Sequence, residues 1–281
     1  MSALTPSSHP QTFHPHSNTR AALTAFLAIV SRDLLMARRE IVTFLLQTLI
    51  QPLFYLFVFG KVLPLIGSAT GGFSMLLLPG MVAFTLFLTA LQTTSTDLGR
   101  DLGVLREIDD RLLAPLPTAL VALEKVLFAA VRGFIAGTCL FPLAFWILGN
   151  GYQVRTDHLV ILIGLMVLVA LVGAALGLLL GTVLPLQQLA LVFALVLTPL
   201  IFTGCTFYPW ISLGALKWFQ VLTLFNPLTY ASEGMRFAML PPVHGQELPT
   251  LALGWVLLVL CTSLIVSLWG GIRFFHRRVI G

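Results

Sequence analysis

Six long apolar stretches, separated by shorter polar segments, make up most of this chain. They cover residues 41–60, 75–96, 119–148, 158–183, 189–207 and 250–271. An α-helix needs roughly 17–25 mostly apolar residues to cross a hydrocarbon core, so each stretch predicts a membrane-spanning helix. The third is long enough to tilt or to begin in the interface. As buried helices of a soluble protein, runs of this length would need a core far larger than 281 residues can build.

Three further segments have a pattern of their own. In residues 20–39, Leu23, Leu27, Val30 and Leu34 recur at helical spacing while Arg32 and Arg39 fall on the other side. That pattern predicts an amphipathic helix lying in the headgroup plane. Arg32, Asp33, Arg38, Arg39 and Glu40 argue against its being the start of the first span. The pattern of residues 105–113 predicts a short helix with Leu105, Ile108 and Leu112 on one face and Arg106–Asp110 and Glu107–Arg111 spaced i,i+4. Pro115 and Pro117 end it. Its charged set, Arg106, Glu107, Asp109, Asp110 and Arg111, stands between two spans, as a handle for something outside the bilayer would. Residues 208–242 hold Pro209, Trp210, Trp218, Asn226, Pro227 and Tyr230, with apolar runs too short to cross. We expect two short re-entrant helices there, with Trp210, Trp218 and Tyr230 at headgroup depth.

Composition agrees with this reading: 58% of residues are hydrophobic and 10% charged, against about 25% charged in soluble domains. The net charge of +5 does not indicate nucleic-acid binding, because the basic residues sit at the ends of apolar runs rather than on one face. With the N-terminus inside, Arg20, Arg32, Arg38, Arg39, Arg100, Arg106, Arg111, Lys125, Arg132, Arg273, Arg277 and Arg278 fall in or near the cytosolic side. Lys61, Arg155, Lys217 and Arg236 fall outside. The asymmetry puts both termini in the cytosol. Residues 1–19 are polar and contain His9, His14 and His16. With no apolar h-region they read as a disordered cytosolic tail rather than a signal peptide, and residues 273–281 read as a basic cytosolic tail. Cys139, Cys205 and Cys261 are dispersed through apolar segments and make neither a disulfide framework nor a metal-ligand cluster.

Within the spans, two polar stripes stand out. Thr43, Gln47, Gln51 and Tyr55 repeat every fourth residue in the first span, and Thr85, Thr89, Gln92 and Thr96 form a similar set in the second. Side-chain amides do not face lipid without a partner, so both stripes should face protein or a water-accessible path. Interhelical hydrogen bonding and substrate contact are both open, and they are compatible at a subunit interface that opens. Gly173, Gly177 and Gly181 on the fourth span, and Gly133 and Gly137 on the third, are ridges for close helix packing. Arg132 is the one charge well inside a span, near enough to Lys125 to snorkel or to pair with Glu124. Ion-coupled carriers need intramembrane ionisable groups or broken-helix sites, and their scarcity here argues against such a carrier. No phosphate-binding loop, HExxH or GxSxG occurs, which leaves no catalytic residue or metal site to nominate and disfavours an intramembrane enzyme. Asp109 and Asp110, adjacent on a helix, read as a solvated face rather than acid–base machinery.

Three pieces of the chain together resemble the permease subunits of type-2 ABC transporters. They are LLLPGMVAF (76–84), REIDDRLLAPLPTALVALEK (106–125), and the series Pro199–Gly204, Phe207-Tyr208-Pro209, FNPLTY (225–230) and Arg236. DRLLAPLP and LLLPG lean toward the branch of daunorubicin-resistance permeases and nodulation lipo-oligosaccharide exporters. The resemblance implies an all-α integral membrane domain over residues 20–272: six spans, an N-terminal interface helix, a cytosolic coupling helix and short re-entrant helices between spans five and six. It implies a multi-pass protein of the bacterial inner membrane, exporting an amphipathic or lipid-linked substrate. A second permease copy and two cytosolic ATPase subunits would complete it, with ATP and Mg held by the ATPase and no cofactor on this chain. Arg106, Glu107, Asp109, Asp110 and Arg111 would couple to the ATPase. Gln47, Gln51, Tyr55, Thr85, Thr89 and Gln92 would line the substrate path, at a seam of spans one, two and five.

Overall fold

The computed structural model describes residues 19–67, 73–101, 118–149, 152, 154–242 and 249–280. Among them every regular element is helical. The long helices are α1 (Thr19–Phe57), α2 (Phe73–Arg100), α3 (Thr118–Leu148), α4 (Leu159–Val183) and α5 (Leu186–Thr203). A 3-10 turn (Trp210–Ala215), two short helices, α6 (Lys217–Thr223) and α7 (Pro227–Met239), and the long α8 (Leu253–Ile280) complete the chain. Among the described residues six helices are long and apolar enough to cross a membrane.

Two boundaries differ from the sequence expectation. Helix α1 runs through Arg38–Glu40 without a break, so the segment read as a separate interface helix is continuous with the first span. Charged residues do not interrupt helical hydrogen bonding, and neither Gly nor Pro occurs in it before Pro52. Past Phe57 the chain continues as a π-helical stretch, Val58–Val62, which the Ser74 hydroxyl ties to α2 by donating to the Gly60 carbonyl at 2.6 Å. At the other end, α8 stays helical through Arg273, Arg277 and Arg278, where a tail was expected. Arg278 Nη1 donates to the Thr182 carbonyl at 2.6 Å, satisfying one of the free carbonyls in the last turn of α4.

Helix α2 is the axis of the bundle. Its most apolar stretch is 89% buried, against 17% for the first span, 11% for α5 and 22% for α8. The glycine ridges explain how neighbours come so close. A Cβ on Gly173 would lie 2.3 Å from the Phe87 carbonyl oxygen, and one on Gly177 2.4 Å from that of Leu91. Ser95 adds a polar contact at the same seam, its hydroxyl lying 3.0 Å from the Gly177 carbonyl and 2.8 Å from that of Leu91. On α3, Gly133 faces the Leu86 carbonyl and Ala90, and Gly137 faces the Leu86 side chain. Lipid tails are as apolar as leucine, so contact of this kind is what holds such helices together.

The segment after α5 holds two short helices, α6 and α7, preceded by a 3-10 turn. Trp218 is exposed and Trp210 half-buried, while α7 is sunk in the bundle and takes Tyr230 with it. Asn226 caps α7, its Oδ1 accepting from Leu228 N–H at 2.9 Å while its Nδ2 donates to the Leu200 carbonyl at 2.9 Å. Glu233 and Arg236 then form a fully buried ion pair at 2.9 Å. Arg236 also donates to the Cys205 carbonyl at 2.6 Å and the Thr206 carbonyl at 3.1 Å. Glu233 accepts from Trp210 N–H at 2.9 Å and Leu251 N–H at 3.4 Å. The turn after α5, the 3-10 turn, α7 and the approach to α8 are thus fastened at one point. Cys205 takes up a left-handed backbone (φ 51°), a conformation a non-glycine residue adopts at some cost. Gly80 leaves room for the turn, since a Cβ there would fall 1.9 Å from the Thr206 carbonyl oxygen.

Candidate functional site

The polar stripe of α1 faces outward on the single chain. Thr43, Gln47 and Gln51 are exposed and Tyr55 is half-buried. Gln51 Nε2 donates to the Tyr55 hydroxyl at 3.3 Å, a long contact that leaves most of the amide's capacity unused. The α2 stripe is turned inward. Thr85 is buried and donates to the Met81 carbonyl at 2.8 Å, Thr89 is buried, and Gln92 and Thr96 are half-buried.

Between the stripes lies a cleft of about 660 Å³, a size typical of small-molecule sites. Helix α1 contributes Glu40, Thr43, Phe44, Gln47 and Thr48 to it, and α2 contributes Thr89, Gln92, Thr93, Thr96, Asp97 and Arg100. Arg132 of α3 and Phe193 of α5 complete the lining. The cleft thus joins Gln47, Thr89 and Gln92 and leaves Gln51, Tyr55 and Thr85 outside it. From Arg100 to Thr89 it follows α2 for about 16 Å at 1.5 Å per residue, from the end of the helix toward its middle. Arg106, Glu107, Asp109, Asp110 and Arg111 lie outside the described residues.

Charge is graded along the cleft. Glu40, Asp97 and Arg100 stand at its mouth. Beside the mouth Lys125 Nζ meets Asp101 Oδ2 at 2.8 Å, both side chains buried. Deeper in, the Arg132 guanidinium lies 5.1 Å from the Phe44 ring centroid and 4.8 Å from that of Phe128, within cation–π range. Of the two readings open for Arg132, snorkelling or pairing with Glu124, the pairing is not found: the guanidinium is seated against two rings instead. Beyond the cleft, toward the far end of α1, Tyr55, Phe59, Phe202 and Phe207 form an aromatic cluster. Phe207 stands 5.5 Å from Tyr55, edge-on, 5.0 Å from Phe59 and 5.6 Å from Phe202.

Sequence reasoning missed Thr48, Thr93, Phe193 and the charged mouth as parts of one site. Thr48 and Thr93 sit one position after Gln47 and Gln92, so widening each stripe by one residue would have found them. Phe193 carries no distinguishing signal in an apolar helix.

A bundle of six candidate spans around a buried axial helix, with a polar cleft reaching to mid-span, defines a multi-pass membrane transport protein. Residues 24–240 match the sequence profile described as ABC2_membrane, ABC-2 type transporter, and the chain belongs to that family. It is therefore a membrane permease of an ABC-2 type transporter, and ATPase activity is not its own. Such permeases generally pair with ATPase subunits. No individual curated protein matches the chain.

Proposed function

We propose that this chain is the permease subunit of an ATP-driven exporter of an amphipathic or lipid-linked substrate, working as a homodimer with two copies of a cytosolic ATPase. The observation that carries the reading is the cleft: polar side chains of α1 and α2 converge on a face that the other described residues leave open. Exposed amides at mid-span are costly against lipid, and a second copy laid against α1 and α5 would cover them. The cleft mouth, where α2 ends and α3 begins, would be cytosolic, in keeping with the basic residues near it. The aromatic cluster would close the path toward the outer side.

In this scheme the charged segment Arg106, Glu107, Asp109, Asp110 and Arg111 receives the ATPase, and both termini are cytosolic. ATP binding draws the ATPase pair together, presses on that segment and on the start of α1, and shifts the helices flanking the cleft. Lipid-like cargo enters from the inner leaflet. The branch of drug and lipo-oligosaccharide exporters fits such cargo, and a bacterial inner membrane is the setting.

Reversing Glu107 and Asp110 to Lys tests the coupling. Substrate-stimulated ATPase activity of the reconstituted complex should fall at least tenfold, with membrane insertion unchanged. Wild-type stimulation in the double variant would refute this role for the segment.

A further inference from the structure

Arg132 is the deepest charge in the cleft. Its neighbour Gly133 packs on Leu86 and Ala90, near the middle of α2, and position 132 is itself near the middle of the candidate span Ala119–Leu148. Among the described residues no carboxylate comes within 4.0 Å of its guanidinium. Lys125, two turns closer to the mouth, is by contrast engaged by Asp101 at 2.8 Å. Asp97 stands nearer the mouth, where Glu40 and Arg100 also lie. Phe44 and Phe128 hold the guanidinium by their ring faces, a contact that consumes none of its hydrogen-bond capacity toward oxygen acceptors. Thr89, Thr93, Gln47 and Gln92 line the same space.

A guanidinium that packs against two rings, stands clear of every described carboxylate and lines a polar cleft is equipped for one kind of ligand. Its fork of donors matches a phosphate, sulfate or carboxylate. A charge within a span faces a bundle interior or cavity and marks a substrate pathway more often than a packing site. We propose that Arg132 recognises the anionic headgroup of the transported amphiphile. The acyl part would extend along the apolar flanks of α1 and α5, while the hydroxyls and amides of the cleft take up the remaining headgroup atoms. This deepens the permease reading and rests on it; it selects anionic amphiphiles over cationic and uncharged ones.

Binding of radiolabelled dodecyl phosphate to the full chain in phosphatidylcholine nanodiscs tests it, with dodecyl maltoside, dodecyltrimethylammonium and inorganic phosphate as competitors. Dodecyl phosphate should bind at least tenfold tighter than the uncharged or cationic amphiphile. Inorganic phosphate should not displace it, since the chain supplies much of the affinity; displacement by inorganic phosphate would overturn the headgroup assignment. Arg132→Gln should lower dodecyl phosphate affinity at least tenfold and leave that of dodecyl maltoside unchanged. Arg132→Lys, which keeps the charge and loses the fork, should fall between, and it carries the test if the glutamine variant does not fold. Unchanged dodecyl phosphate affinity in both variants, or tighter binding of the ammonium, would overturn the assignment to Arg132 alone. If no amphiphile binds, and none stimulates the ATPase of the complex, the amphiphile-exporter reading falls with it.

Discussion

Replacing Arg236 with alanine is expected to cost the protein its fold in the membrane. The side chain is fully buried, and it is held there by Glu233 at 2.9 Å and by the Cys205 and Thr206 carbonyls. Burial alone would drive the guanidinium toward its neutral form, and the Glu233 carboxylate works against that. Remove Arg236 and four acceptors lose a donor at once, the Leu76 carbonyl at 3.4 Å and the fully buried Glu233 carboxylate among them. Breaking a buried pair in this way destabilises by roughly 3–5 kcal/mol, a large part of a typical stability of about 5–15 kcal/mol. Recovery of monodisperse protein after extraction, and the midpoint of thermal unfolding, should both drop sharply. The double variant Glu233→Leu, Arg236→Met should suffer less than Arg236→Ala, because no charge is stranded. It should not reach wild type, because Trp210 N–H and Leu251 N–H lose their acceptor. A wild-type midpoint for Arg236→Ala would show that the fastening is dispensable.

Gly173→Val is expected to separate α4 from α2. Any Cβ at this position falls 2.3 Å from the Phe87 carbonyl oxygen, and that oxygen belongs to the backbone of the bundle's axis. A flexible side chain would swing aside; a helix backbone must move as a whole. Overpacking typically costs about 1–3 kcal/mol where neighbours can adjust, and this site sits at or above the top of that range. Gly164→Ala supplies the control on the same helix, since nothing lies within 4 Å of its Cβ position. The valine variant should lose most of its folded yield and the alanine variant none. Equal yields would mean that α4 and α2 do not meet at this glycine.

Much of this architecture is legible in the sequence because membrane helices advertise themselves. Each of the six apolar runs overlaps one of the six candidate spans, though the last span continues to Arg278 where the run stopped at 271, and the ridge of Gly173, Gly177 and Gly181 announces a close helix contact. The helix ends were harder to read. Charges near Arg32–Glu40 suggested a break, yet only Gly or Pro would have made one, and none is present there. The stripes were half legible: periodicity fixed which residues share a face, but not which face meets which. Thr85 shows the gap, since it lies in register with Thr89 and still satisfies itself on its own helix. Glu233 and Arg236, spaced i,i+3, were a readable pair, but the segment's apolar runs were too short to suggest deep burial.

Cysteine cross-linking across the supposed seam is the most direct measurement of the central claim, that the cleft is a passage formed between two copies of this permease. With Cys139, Cys205 and Cys261 replaced by alanine, Gln51→Cys should yield a cross-linked dimer with a short bis-maleimide in native membranes. Val160→Cys, exposed on α4, should not. The Gln51 cross-link should also arrest ATP-driven transport by the complex. A dimer trapped through Val160→Cys and none through Gln51→Cys, or full transport with Gln51→Cys cross-linked, would contradict the account.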